Sequence, residues 1–413
     1  EADARYADVL ERILYNGLLA GVSLSGDRFF YPNPLASDGR TGFNHGRPER
    51  QPWFGCSCCP VNIARAIPQV GGWMYSVAES RLYVHLFEAG VATADVAGVR
   101  VEVRQMTRYP WAGDVVLELR PDRPARFDVM VRVPGWALGR PVPGDLYRDV
   151  APPAEPPTLT LNGEAVSLQG LERGYAKLSK DWTAGDRIEL RLPMPPRRVR
   201  SHPAVSNNAG CVAIERGPLV YCIEGADHPD RRVRNLWLPG DEPLGVEERS
   251  DLLGGVHVIR ARARARRGVA VGRIEEQPVE MVAIPYNVWC HRGPNEMRVW
   301  IPTRPELARP YPAATLEGRA DVSASFCHPS DSPTAVQDGV LPASSGDASV
   351  PRMTWWDHRG TTEWLQYTWP GPVRVRGVEV YWFDDTGHGR CRVPAAWRIQ
   401  VREGEAWIRP PGQ

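Results

Sequence analysis

No run of about 18 apolar residues occurs in this 413-residue sequence, which excludes an apolar membrane-spanning helix. Charge of one sign is missing as well. The 50 Lys and Arg against 49 Asp and Glu leave a formal net charge of +1, which offers nothing for nucleic acid or an anionic membrane to hold. There is no disulfide framework: Cys211, Cys222, Cys290, Cys327 and Cys391 are scattered, as suits thiols in a reducing compartment. A cytoplasmic location is therefore expected. No leader segment is visible, and Glu1-Ala2-Asp3-Ala4-Arg5 runs straight into a helical pattern, so the chain is expected to begin inside a larger arrangement. Nothing in the sequence specifies an oligomeric state.

What is abundant points to β structure. Forty Pro, 39 Gly and 15 Trp suit many short strands and turns rather than a helical bundle. Against that background one stretch stands out, Trp53-Phe54-Gly55-Cys56-Ser57-Cys58-Cys59-Pro60-Val61-Asn62-Ile63-Ala64-Arg65. An isolated cysteine is usually a small buried hydrophobe. Three within four positions are what metal or thiolate chemistry needs. Pro60 is expected as the first residue of a helix, where its missing N–H costs nothing. That places Cys58 and Cys59 at the positive end, where thiolate is favoured over thiol. Thiolate is both the nucleophilic form and the zinc-ligating form. His45, in the polar loop ahead of the cluster, and Cys56 are additional candidates for a ligand or a substrate contact.

Along the chain, Tyr6, Val9, Leu10, Ile13, Leu14 and Leu18 form one stripe of an amphipathic helix over 3–21. Glu11 falls on its polar, solvent-facing side. Residues 23–31 alternate about Gly26-Asp27 as a hairpin does. The helix from Pro60 is expected to kink or stop at Pro68 and Gly71-Gly72. From Arg81 the period changes to two, with strands at 82–87, 99–103, 115–119, 127–133 and 186–192, which argues for β-sandwich packing. The Arg/Ala alternation over 260–267 reads as a solvated strand face. Residues 303–319, with Pro305, Pro310 and Pro312, look like a linker. Beyond it, seven of the 15 Trp fall between Trp355 and Trp407, and Gly377–Trp382 reads as a strand of a separate small β-domain.

At its cysteine cluster the chain resembles glycoside hydrolase family 127, the β-L-arabinofuranosidase family. The resemblance continues in Asp8–Gly17, Arg28–Leu35, Val133-Pro134-Gly135-Trp136-Ala137, Glu215–Tyr221 and Ile284–Trp289 with Arg292, Gly293 and Met297. It implies a multidomain, mainly β chain. Residues 1–78 would be the last piece of an (α/α)6 catalytic barrel, and 79–302 a β-sandwich region, expected as two sandwiches. It implies a retaining, exo-acting hydrolase of L-arabinofuranosides, with Cys58 as nucleophile and zinc ligand and Cys59 as a second ligand. The family's remaining zinc ligands come from a Glu-x-Cys segment and its acid/base is a glutamate. Both are expected upstream of residue 3, so no acid/base is assigned in this chain and about half the Zn2+ site is missing from it. Residues 320–413 more loosely resemble a discoidin-like module, expected to be incomplete, through Trp355-Trp356-Asp357, Glu363-Trp364-Leu365, Val380-Tyr381-Trp382 and Pro394–Trp397. Three other readings stay open: a non-catalytic carbohydrate-binding protein or inactive remnant, a family hydrolase for another L-sugar, and a thiol redox protein. The cluster lacks the C-x-x-C spacing that the last would favour.

Overall fold

The computed structural model describes residues 2–228, 231–270, 273–311, 315–347 and 350–410. It is mainly β and divides into two compact units. The first comprises residues 1–266 and 276–310, the second 267–275 and 311–413.

In the first unit two sheets face each other over one apolar core. A four-stranded sheet runs Tyr175–Trp182, Ala125–Arg132, Arg81–Val84, Tyr75–Ala78. Its partner runs Glu164–Val166, Thr158–Leu161, Asp186–Arg191, Asp114–Pro121, Val99–Thr107, Gly90–Val96. Alternation explains the packing: Val99, Val101 and Val103 point inward while Arg100, Glu102 and Arg104 do not. Val101, Leu117, Ile188, Val129, Leu178 and Trp182 meet in the same core.

A larger mixed-length sheet follows, ordered Leu236–Trp237, Val256–Ala270, Arg273–Pro285, Leu219–Glu224, Cys211–Arg216, Arg197–Ser201, Tyr147–Asp149. Strands Cys211–Arg216 and Leu219–Glu224 are buried at every position, their apolar residues covered on both faces and their ends holding Glu215 against Arg12 and Arg197 and Glu224 against Arg292. Ala261, Ala263 and Ala265 face the core and Arg262 and Arg264 face outward, so the basic run is one exposed strand face. Residues 303–310, expected as the start of a linker, are instead held on this unit: Thr303 N–H donates to Gly210 O (2.9 Å) and Arg266 Nη1 to Pro305 O (2.8 Å). Residues 312–314 of that expected linker lie outside the described residues.

The N-terminal segment departs most from the pattern read in the sequence. A first helix, α1 (Ala4–Arg12), is capped by the Asp3 carboxylate on Arg5 N–H and continues as a π-helical stretch, Ile13–Leu18, and a 3-10 turn, Leu19–Gly21. Its apolar stripe faces outward, with Tyr6 70%, Val9 43% and Ile13 53% exposed, and its polar side faces the sheets. Glu11, expected at a solvent-facing position, is 1% exposed. The reason is the fully buried Arg132. Its guanidinium donates to Glu11 and, at 2.7 Å, to Asp8, while Tyr109 Oη (2.8 Å) and Trp136 Nε1 (3.3 Å) also donate to Glu11. Burial alone would push the Arg132 pKa down, but Glu11 and Asp8 carry it above its ordinary value. Asp8 also accepts Gly135 N–H at 3.2 Å, and a Cβ on Gly135 would stand 2.8 Å from that carboxylate.

Arg12 and Asn16 fasten the same face to the larger sheet. Arg12 pairs with Glu215 at 2.7 Å, and Asn16 bonds Pro218 O (2.9 Å) and Val220 N–H (2.7 Å). The strand Ala36–Asp38 then adds to that sheet through Glu296–Arg298. Residues 2–78 are thus tied to both sheets by polar contacts.

The second unit contains two short antiparallel pairs, Asp321–Ala324 with Leu365–Thr368 and Val401–Glu403 with Ala406–Ile408. The expected strand at Gly377–Trp382 has no ladder. Val378, Val380 and Tyr381 are exposed, and an alternating segment without a paired neighbour is not a strand. Among the described residues no helix is long and apolar enough to cross a membrane.

Candidate functional site: the cysteine cluster

Residues 52–57 lead into a second helix, α2 (Cys58–Ala66). Cys58 and Cys59 are its first two residues, and Pro60 is its third rather than its first. Pro60 is still within the first turn, where no intrahelical N–H is required. At Pro68 the helix passes into a 3-10 turn (Ile67–Gln69), as the proline demands. The Cys58 sulfur therefore lies where unpaired N–H groups and the helix dipole favour negative charge.

Three sulfurs gather there. Cys58 Sγ is 3.9 Å from Cys56 Sγ and 3.8 Å from Cys59 Sγ, and all three thiols are free. The Tyr31 hydroxyl lies 3.3 Å from Cys58 Sγ. That hydrogen bond is the largest influence holding the Cys58 thiol below its ordinary pKa, followed by Cys59 and Cys56, while burial opposes it. The same contact raises the Tyr31 phenol, and burial followed by the Cys58 neighbour raises Cys59. Of this pair, Cys58 is the group pushed toward thiolate and Tyr31 the group pushed toward the neutral phenol.

Tyr31 is placed by the loop before the cluster. Asn44, fully buried, accepts Tyr31 N–H at 2.8 Å and donates to Phe29 O (3.1 Å) and Glu49 O (2.8 Å). His45 and Gly46 follow in left-handed backbone (φ 51° and 84°). Gly42 packs so closely that a Cβ there would lie 2.7 Å from the Gly46 backbone. His45 turns its ring onto Tyr31 (centroids 4.4 Å apart) and Phe54 (5.2 Å), so in this structure it walls the tyrosine. Beneath, buried Arg50 donates to Trp289 O (2.7 Å) and Ala20 O (2.9 Å) across the Phe30 ring, and burial lowers its pKa to about 10. Tyr31, Asn44 and Arg50 were not evident from the sequence. Tyr31 stands 27 residues before Cys58, and only the folded loop unites them.

The donor set suits a soft cation, since thiolates are zinc's preferred partners. It falls short of a closed four-ligand site. Among the described residues no group of three or more His, Cys, Asp or Glu has the arrangement to hold a metal.

Three family models match consecutive stretches. They are the GH127 β-L-arabinofuranosidase catalytic domain over 1–72, the GH127 middle domain over 81–194 and the glycoside hydrolase family 127 C-terminal domain over 196–302. A non-reducing end β-L-arabinofuranosidase of Bifidobacterium longum is 34% identical over 327 residues, covering 73% of this chain and 46% of that protein. A solved GH127 β-arabinofuranosidase is 38% identical with a TM-score of 0.70, over 75% of this chain and 47% of its own. A GH127 β-L-arabinofuranosidase from Geobacillus stearothermophilus T6 is 37% identical with a TM-score of 0.66, over 73% of this chain and 47% of its own. The chain spans about half the length of these relatives.

Proposed function

The chain belongs to glycoside hydrolase family 127, and from that premise we propose that it carries the C-terminal portion of a retaining, exo-acting β-L-arabinofuranosidase whose nucleophile is Cys58. The observation that carries this reading is an exposed sulfur on the first residue of α2, 3.3 Å from the Tyr31 hydroxyl and flanked by two further free thiols. In the proposed reaction the Cys58 sulfur attacks the anomeric carbon of an L-arabinofuranoside, and the bond to the leaving oxygen breaks as that oxygen is protonated. Water then displaces the sulfur from the same carbon, so two inversions retain configuration. The attacking water gives its proton to the acid/base, and Tyr31 holds the Cys58 thiolate before the first displacement and again after the second, accepting no proton itself.

Cys58 and Cys59, with Cys56 beside them, would hold a zinc ion, whose chemistry is to keep a sulfur deprotonated at neutral pH. The acid/base is assigned to the half of the relatives that this chain does not span. Asp8 and Glu11, the carboxylates on α1, are occupied by Arg132, Tyr109, Trp136 and Gly135. We read residues 1–78 as the closing piece of an (α/α)6 barrel, which the outward stripe of Tyr6, Val9 and Ile13 supports. The region 79–302 is read as the sandwiches behind it. We read 320–413 as a discoidin-like module, with exposed Trp364, Trp397 and Trp407 as candidate sugar-stacking rings.

The test is hydrolysis of an aryl β-L-arabinofuranoside by a version extended upstream. Its Cys58→Ser variant is expected to lose more than about 10³-fold in rate. Full activity of that variant would remove the thiolate from the mechanism.

A further inference from the structure

We propose that Cys56 is a resolving thiol, and that a peroxide-class oxidant closes Cys56 and Cys58 into a disulfide that reversibly blocks the nucleophilic sulfur. The geometry distinguishes the two neighbours of Cys58. Cys59 is nearly as close at 3.8 Å, but it is the second residue of α2, and its backbone is committed to the helix. Bridging adjacent residues there would close a small strained ring within the first turn. Cys56 precedes the Ser57 cap (φ −97°, ψ 22°) and lies outside the helix. It can close its 3.9 Å gap to the bonded distance of about 2 Å while Val61 N–H keeps its bond to Ser57 O and Asn62 keeps its bond to Cys58 O. Both sulfurs are exposed, so a small oxidant reaches them.

The chemistry balances. The Cys58 thiolate attacks one oxygen of hydrogen peroxide, the O–O bond breaks, and the departing hydroxide takes a proton to become water. The resulting sulfenic acid is attacked at sulfur by the Cys56 thiolate, the S–O bond breaks, and a second water leaves. Two thiols are oxidised by two electrons, and peroxide is reduced to two waters. A dithiol reductant reverses it by exchange.

The proposal rests on the reading of Cys58 as the nucleophile and on the placement of two free, exposed sulfurs 3.9 Å apart. Its test uses no glycoside, so its failure leaves the glycosidase reading to be judged by its own experiment. The full chain, freed of metal by a chelator, is treated with hydrogen peroxide, alkylated and cleaved with trypsin after Arg50 and Arg65. Peptide 51–65 carries all three thiols. It is expected to lose the mass of two hydrogens and to take alkyl label only at Cys59, with three labels regained after dithiothreitol. Cys59→Ser should keep the link, whereas Cys56→Ser should lose it and leave Cys58 carrying added oxygen. The proposal is overturned if all three thiols stay alkylatable, if the link survives Cys56→Ser, if it disappears in Cys59→Ser, or if peptide 51–65 is found joined to a different peptide.

Discussion

At the scale of single residues, the decisive contact is the one between Tyr31 and Cys58. A phenol beside a sulfur stabilises thiolate more than thiol, so its removal is expected to raise the Cys58 pKa. Tyr31→Phe is expected to slow iodoacetamide labelling of Cys58 at neutral pH by roughly threefold to tenfold, since labelling tracks the thiolate fraction. An unchanged rate in this variant would show that the helix start alone activates the sulfur. Asn44→Ala should act in the same direction through Tyr31, because Asn44 bonds the Tyr31 backbone and leaves the sulfurs alone.

At the scale of elements, α1 is held by charge and offers its apolar side to solvent. Arg132 is fully buried, and its partner Glu11 nearly so, with a side chain 2% exposed. Breaking such a pair leaves a charge without compensation. Glu11→Ala or Arg132→Ala is expected to cost about 3–5 kcal/mol, read from urea denaturation, and the combined apolar replacement Glu11→Leu with Arg132→Met should cost less than either. Equal losses in all three would mean that packing at the site, and not the charge pair, holds the helix. The outward stripe gives a second expectation. Tyr6, Val9 and Ile13 make an apolar surface of the kind that drives association. Val9→Lys with Ile13→Glu should reduce concentration-dependent self-association in sedimentation without lowering the denaturation midpoint; undiminished association would place the sticky surface elsewhere.

Over the whole first unit, acid should loosen the structure through two histidines that fold neutral. His85 lies between Ser76 Oγ and Tyr175 Oη (2.7 Å each), and burial then Arg132 lower its pKa to about 4. His291 accepts Leu24 N–H at 2.9 Å and donates to Val288 O at 2.8 Å, and burial then Arg50 bring it to about 4. The unfolded chain takes up these protons near pH 6.5 and the folded chain only near 4. The stability they contribute is complete above about 6.5 and is lost as pH falls toward 4. Denaturation midpoints should fall across that window, and His85→Gln with His291→Gln should flatten the profile. A midpoint independent of pH between 7 and 4 would contradict the assignment.

The sequence by itself determined whatever depends on neighbours along the chain. Alternation at 99–103 and 115–119 marks strands because side chains point to opposite faces at every second residue. Cys56, Cys58 and Cys59 declare a cysteine cluster, because three cysteines within four positions stay close in space. Proline at position 68 ends α2 for a reason contained in its own ring. The tertiary structure alone decided what those elements face. An amphipathic pattern says which side of α1 is apolar. Which side is buried depends on the partner, and here that partner is a buried arginine more than a hundred residues away in sequence, a distance no local pattern spans. Gly377–Trp382 makes the converse point, since alternation without a neighbour to pair with forms no ladder. Cys58 gains its tyrosine in the same way, from a loop that Asn44 and Arg50 fold back onto the helix start. Local periodicity is a property of the chain, but the charge state of a sulfur and the burial of a carboxylate belong to the surroundings that folding assembles.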